Sequence, residues 1–359
     1  MIRTFRVVVG IILLLTPFSI VYASPFIFDQ DCEFDISESV CPARHPGSAT
    51  TGQRALTDSI SVISVGISKA IAMALRPKSL LGGGRANTDS YRTAGLSAGD
   101  YFYNWSGWVS YARTHTENTR FVSQYDSNLD SALAGFDTTP KENLIVGLAV
   151  GYENNDIDTT FSAGEQQIDG FTIAPYAGYL FHPNASLDLS AGYSSLDIDQ
   201  FRRFGASIID GDTDSDRWFI SGNLNAFTRV NDFAFSGRVG VIYAEDDIDA
   251  IVETGGADAF TSPSTTVEFG QIQVGGEVAY SVAPLEPYAS VFYEYDFEYE
   301  KLILDDPRPA ANDRSDVRFG LGARYFSDNG FSANLEWNII AGRDEIGSHT
   351  LSLTGRLDF

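Results

Sequence analysis

The chain is poor in the residues from which redox and metal centres are built. Among 359 residues there are two cysteines, four histidines and two methionines. Both cysteines, Cys32 and Cys41, fall near the N-terminus, where only His45 lies close to them. A structural zinc site would need further ligands at short spacing. In an exported chain a pair like this reads instead as a disulfide closing a small loop. Neither a metal nor a cofactor is expected. Basic residues are also scarce: 24 Lys and Arg stand against 48 Asp and Glu, for a net charge of −24. That balance excludes nucleic acid as a partner, because a phosphate backbone calls for a basic surface. After the extreme N-terminus no apolar run of about 18 or more residues stands out, the length a spanning helix needs. Glycine, tyrosine and phenylalanine, in contrast, are plentiful at 33, 17 and 25. Such a mixture suits twisted strands that end in aromatic girdles.

Residues 1–23 read as an export signal. Arg3 and Arg6 form its positive start, Val7 to Leu15 its apolar middle, and Val21-Tyr22-Ala23 a small-residue cleavage site. Residues 24–54, broken by Pro25, Pro42, Pro46 and Gly47, read as a short loop region carrying the cysteine pair. Across 55–84 the period changes. Leu56, Ile60, Ile63, Ile67, Ile71 and Leu75 recur every three or four residues before Pro77 and the break Gly82-Gly83-Gly84. That spacing predicts an amphipathic helix starting near Thr57-Asp58. Its apolar face must pack against another part of the protein or sit inside a lumen. Residues 85–100 read as linker.

From 101 to 359 the chain alternates with period two, in segments bounded by turn residues. Twelve such segments can be counted: 105–113, 127–136, 144–152, 170–181, 186–196, 217–229, 233–243, 270–282, 285–297, 316–326, 331–339 and 348–359. In the last, Leu351, Leu353, Leu357 and Phe359 share one parity and Thr350, Ser352, Thr354, Arg356 and Asp358 the other. A terminal aromatic strand with one apolar face has nothing to bury in water, yet it can close a barrel whose outside is lipid. An even strand number fits such a barrel. Connections sort by parity as well. Turns such as His182-Pro183-Asn184 and Val230-Asn231-Asp232 are short, whereas 154–169, 197–216, 245–268 and 298–315 read as long acidic loops. Short periplasmic turns alternating with long extracellular loops are the outer-membrane pattern. The fold expected is an all-β transmembrane barrel of about twelve antiparallel strands, preceded by one helix.

Trp105-Ser106-Gly107-Trp108, the run Asn143 to Tyr152, Pro175-Tyr176-Ala177-Gly178-Tyr179, Leu187 to Tyr193 and the closing Arg356-Leu357-Asp358-Phe359 together resemble the translocator domain of autotransporters (type V secretion). The family's closing pattern would place glycine at 354, where this chain has Thr354 followed by Gly355. The resemblance implies a barrel in the outer membrane of a Gram-negative cell, a helical segment through the pore and a passenger outside. It also implies insertion by the outer-membrane barrel assembly machinery, which would read Leu357 and Phe359. Ahead of the helix only about thirty mature residues remain to be displayed, few for a folded passenger.

Asp188, Arg238, Glu277, Arg318, Arg324, Glu336 and Arg356 fall on the polar parity and are expected to face the lumen. They can pair with one another, with a guest helix or with a permeating ion. A porin-like channel with an N-terminal plug is therefore a rival reading. A surface adhesin is another, its acidic loops meeting a host or environmental ligand. The run Asp210-Gly211-Asp212-Thr213-Asp214 lacks the full register of a calcium loop. Enzymatic function is not expected. His349 faces the lipid parity without a serine on the same face, and His115, placed in the first loop, has no partner that spacing can assign.

Overall fold

A computed structural model describes residues 47–75, 104–119, 124–257, 259–299, 314–327 and 329–359. Residues 1–23, expected to be an export signal, lie outside the described residues, as do Cys32, Cys41 and the glycine break. Helix α1 spans Gly47–Leu75. The first strands are β1 (Asn104–Asn118), β2 (Tyr125–Lys141), β3 (Leu144–Thr159) and β4 (Gly164–His182). They are followed by β5 (Ala185–Phe204), β6 (Ser207–Val230), β7 (Phe233–Ile248), β8 (Ile251–Thr254) and β9 (Thr261–Ser262). The last are β10 (Thr265–Tyr280), β11 (Leu285–Tyr299), β12 (Ser315–Phe326), β13 (Phe331–Ala341) and β14 (Ile346–Asp358). All but β8 and β9 pair antiparallel with sequence neighbours, β1 pairs with β14, and β5–β6 pairing completes a closed ring of twelve strands. The short β8–β9 hairpin attaches to the far end of β6.

Alternation decides which face looks out. Val109, Leu148, Val150, Ile173, Leu189, Ile220, Val239, Val274, Leu321, Leu335, Leu351 and Leu353 are all exposed, most near half their surface. An apolar belt running round every strand is untenable in water but matches a hydrocarbon core. Aromatic rings border it. At the short-turn end Trp105 stacks on Phe136 at 4.8 Å, and Phe136 meets Phe359 at 6.0 Å. At the opposite end a repeated device appears. Tyr152 donates to Asp169 at 2.6 Å, Tyr193 to Asp216 at 2.5 Å and Tyr243 to Glu268 at 2.8 Å, and Tyr111 donates likewise to Asp130. In each case the carboxylate sits on the neighbouring strand two residues beyond the tyrosine's opposite number. The hydroxyl thus points away from the apolar belt toward water, as an amphipathic ring at a boundary should.

Three expectations need correcting. The helix begins at Gly47, so 47–54 are not loop. No proline interrupts the chain between Gly47 and Leu75, and nothing local stops the helix from extending backward. Second, Arg54–Leu75 is long and apolar enough to cross a bilayer by length and composition, although it is mostly buried inside the barrel. Small serines and alanines spread through it hide that property in a reading that looks for unbroken apolar runs. Third, 154–169 and 197–216 are not long loops: β3–β4 and β5–β6 continue as tall hairpins, leaving only residues 160–163 and 205–206 between strands. Asp156, Asp158, Asp197, Asp199, Asp210, Asp212 and Asp214 lie on those strand extensions and face outward. β6 is 24 residues long, while a bilayer requires about 9–11. Acidic residues disfavour strands locally, yet pairing with a committed neighbour carries the ladder past the membrane.

Leu148→Arg, which places a cation in the middle of the apolar belt, is expected to cost about 2–4 kcal/mol. Denaturant unfolding in lipid vesicles measures it, with the outward but extramembrane Asp156→Arg as a near-neutral control.

Candidate functional site

The lumen is where helix and strands meet, and α1 divides it into two unlike sides. Leu56, Ile60, Ile63, Ile67 and Ile71 are completely buried. They pack on inward residues that include Leu133, Ile145, Ala149, Ala174 and Phe219, mostly from β2 to β6. Each such side chain is worth about 1.5–3 kcal/mol when removed from water. The fit depends on a close approach at Gly178, where a Cβ would come within 2.5 Å of Ile71 Cγ2 and 3.0 Å of Leu75 Cδ1. Gly178 on β4 thus leaves room for the C-terminal turn of the helix, with Ala174 on β4 and Ala149 on β3 in the same apolar cluster.

The serines of α1 meet polar strand positions. Ser64 bonds Ser221 at 2.7 Å, and Asn223 Nδ2 donates to Ser68 at 2.9 Å. Ser59 donates to Glu153 and accepts from Arg217 Nη1 at 2.8 Å. Arg217 itself bridges Glu153 at 2.9 Å and Asp246 at 3.0 Å. Nearer the helix start, Arg54 pairs with Asp58 at 2.7 Å, and Thr116 donates to Asp58 at 2.7 Å. Arg343, in the β13–β14 turn, pairs with Asp296 at 2.6 Å and Asp316 at 2.9 Å.

On the other side Val62, Val65, Lys69, Ala72 and Met73 are less covered. Lys69 pairs with Glu336 at 3.1 Å and donates to Ser352 at 2.8 Å. Beside it lies a cavity of about 140 Å³, with Asp188, Arg238, Arg318 and Arg324 in its lining.

The seven charged residues singled out on the polar parity take up different partners. Arg318 pairs with Glu294 at 3.0 Å, and Arg324 bridges Glu277 and Glu286, the latter at 2.9 Å. Glu336 accepts from both Lys69 and Tyr288, joining the wall to the helix. Asp188 accepts from Asn225 at 2.7 Å. Arg238 lies over the Phe292 ring, 4.4 Å from its centre. Arg356 makes a bidentate pair with Asp137 at 2.7 Å and reaches Asp358 at 3.0 Å.

That last pair belongs to a seam. Asp137 also accepts from Tyr176 at 2.8 Å, and Trp108 Nε1 donates to Tyr176 Oη at 2.6 Å. Four side chains from β14, β2, β4 and β1 thus interlock just inside the place where first and last strands join. Gly147 makes room for them, since a Cβ there would lie 2.4 Å from the Tyr176 ring. Outside the same seam, Phe359 N donates to Trp105 O at 2.9 Å, while Leu357 and Phe359 remain exposed.

Sequence reasoning missed Asp137, Glu153, Arg217, Asp246, Glu294 and Lys69 as partners. Glu153 and Asp246 lie just past strand ends drawn too early, and Asp137 one residue past another. The available signal was parity: Glu153, Asn155 and Ile157 continue the inward set of Ile145 and Ala149. His115 also needs correcting, for it sits within β1 and not in a loop, directly opposite His349.

Residues 106–338, well over half the chain, match the family model of the Autotransporter beta-domain. The chain belongs to the autotransporter β-domain family. The translocator domain of autotransporter NalP from Neisseria meningitidis is similar in fold, with a TM-score of 0.67 at 13% identity, covering 86% of this chain and 98% of that one. The β domain of the Bordetella autotransporter BrkA gives 0.59 at 14% identity, covering 71% and 100%. No curated protein matches the chain. As an autotransporter β-domain, the chain forms an outer-membrane translocator barrel, the fold of a transport domain.

Arg217→Met is expected to leave Glu153 and Asp246 as uncompensated buried charges, at a cost of about 3–5 kcal/mol. A lower unfolding midpoint in the heat-modifiability gel assay would register it. Arg203→Met, exposed near the tip of the β5–β6 hairpin, serves as the unaffected control.

Proposed function

We propose that this barrel anchors and displays the segment N-terminal to α1, with the helix as the trailing part of a chain drawn through the lumen. The observation that supports this is the seating of α1: its apolar stripe is matched by apolar lumen positions on β2 to β6, and its serines by polar ones. On this reading residues 1–23 are removed on export, and the short turns face the periplasm while the tall hairpins stand outside the cell. The segment with Cys32 and Cys41 as a disulfide is then held at the outer surface. Leu357 and Phe359 serve as the signal read by the barrel assembly machinery, and lipid is the immediate surrounding. No part of this scheme calls for catalysis.

A second reading, recognition of a host or environmental surface ligand, draws on the outward carboxylates of the β3–β4 and β5–β6 hairpins. Asp197 lies opposite both Asp169 and Asp214, and Asp199 opposite Asp212. Like charges directly opposed across strands destabilise a sheet, so a cationic surface would relieve them. The cavity beside Lys69 leaves room for the porin-like alternative, in which α1 is a plug.

Planar-bilayer conductance of the protein with and without residues 24–84 tests the seating of the helix on which the display and the plug readings both rest. Deletion is expected to raise single-channel conductance several-fold. Unchanged conductance would remove the helix from any role in filling the pore. Protease accessibility of the Cys32–Cys41 segment on intact cells is expected to be high; protection there would count against display.

A further inference from the structure

Two of the chain's four histidines meet on the outer face of the seam. His115 on β1 stands directly opposite His349 on β14, and their rings are 5.2 Å apart, centre to centre, at an interplanar angle of 53°. His349 is exposed and His115 half-buried. Both lie on the hairpin side of the membrane boundary. Tyr111, whose hydroxyl bonds Asp130, is the boundary tyrosine of β1, and His115 is four residues further along the same face, about 13 Å at the rise of a strand. The pair is therefore in contact with water or lipid headgroups.

We propose that His115 and His349 form a binding site for a divalent transition ion of the zinc class, clipping the last strand to the first. Three features of the pair fit that chemistry. The first is spacing. Two imidazoles bound to one ion at about 2.0–2.1 Å and at a tetrahedral angle have ring centres roughly 5.2 Å apart. The second is orientation. His115 Nδ1 is 3.1 Å from Asn128 Oδ1 on β2, the neighbour on the side away from His349. Nδ1–H donating to that amide oxygen leaves Nε2 with its lone pair free, the arrangement that metal-bound histidines adopt through an outer partner. The third is preorganisation. The two residues occupy one rung of a paired antiparallel ladder, so little backbone freedom is lost when an ion is held.

Imidazole donors select zinc, nickel or copper over magnesium or calcium. Among the described residues no group of three or more His, Cys, Asp or Glu is placed to hold a metal, so the protein supplies two ligands here and solvent completes the shell. The acidic hairpins nearby raise the local cation concentration without being ligands.

The test uses the full, untagged chain folded in detergent micelles and zinc chloride as the probe. Isothermal titration near neutral pH is expected to show one ion per barrel with a histidine-dependent affinity. His115→Ala and His349→Ala should each weaken it about tenfold or more, and Asn128→Ala by a similar factor through loss of the outer partner. Lowering the pH to about 5 should abolish uptake, because the ligands must be neutral imidazoles. Zinc should also raise the heat-modifiability midpoint of the native chain and not of His349→Ala. All three side chains face outward, so the variants are expected to retain the folded gel band; His349→Gln, which keeps size and polarity, gives a second check if His349→Ala does not. His182→Ala, at an exposed turn, should change nothing. Zinc uptake of equal affinity and stoichiometry in the His115 and His349 variants, or none by the native chain, overturns the proposal.

Discussion

Lipid offers no hydrogen-bond partner, so a spanning sheet must have no free edge. Everything else in this protein depends on the β1–β14 pairing that removes the two edges the chain would otherwise leave. The register of that pairing runs from Ser106 opposite Asp358 to Asn118 opposite Ile346, and the terminal amide of Phe359 reaches one residue further to Trp105. Inside, Arg356 is held by Asp137 and Asp137 by Tyr176, which ties the last strand to β2 and β4 across β1. The ladder supplies closure; the buried side chains fix it against slippage. A slip by one residue would turn Arg356 into lipid and Leu357 into the lumen.

The same closure creates a lumen that is neither a uniform polar pore nor a core. Its β2–β6 side is apolar enough to bury one face of α1, and its β10–β14 side is lined with charges that mostly satisfy one another. Hydrophobic contact turns the apolar stripe of the helix toward the first side but leaves its height along the axis loosely specified. Height is set by polar pairs at fixed levels, Ser59 with Glu153 and Arg217, Ser68 with Asn223 and Lys69 with Glu336. Both kinds of contact are compatible with the proposed passage of this segment through the pore before it comes to rest. Serine and alanine keep the helix slim, and the polar pairs with the wall, the Lys69–Glu336 ion pair among them, form only when the helix is at its final height.

The outer surface shows a similar economy. Apolar residues face acyl chains, tyrosine hydroxyls mark the boundary by bonding carboxylates one step beyond it, and the strands then continue upward with aspartates in the outward positions. Acidic residues that read as solvated loop are in fact the aqueous part of long hairpins. Local propensity pointed to loop because aspartate and glycine are poor strand formers; the neighbouring strand overrode that preference by offering an unbroken row of partners.

What the sequence by itself determined is the face each strand residue takes. Alternation with period two needs no partner to be legible, so the twelve strands, the lipid-facing set and the role of Leu357 and Phe359 as an outward edge could be written down from the residues. The helix was legible for the same reason, through its period near four, although its start was not. Only the tertiary structure decided which inward residues meet. Asp137 and Arg356 are separated by more than two hundred positions, and Glu153, Arg217 and Asp246 lie on three different strands. His115 and His349 become neighbours only when the ring closes. Parity assigns a side chain to the lumen or to the outside, but its neighbour there depends on strand register and on which strands adjoin, and these are fixed by the closed sheet as a whole.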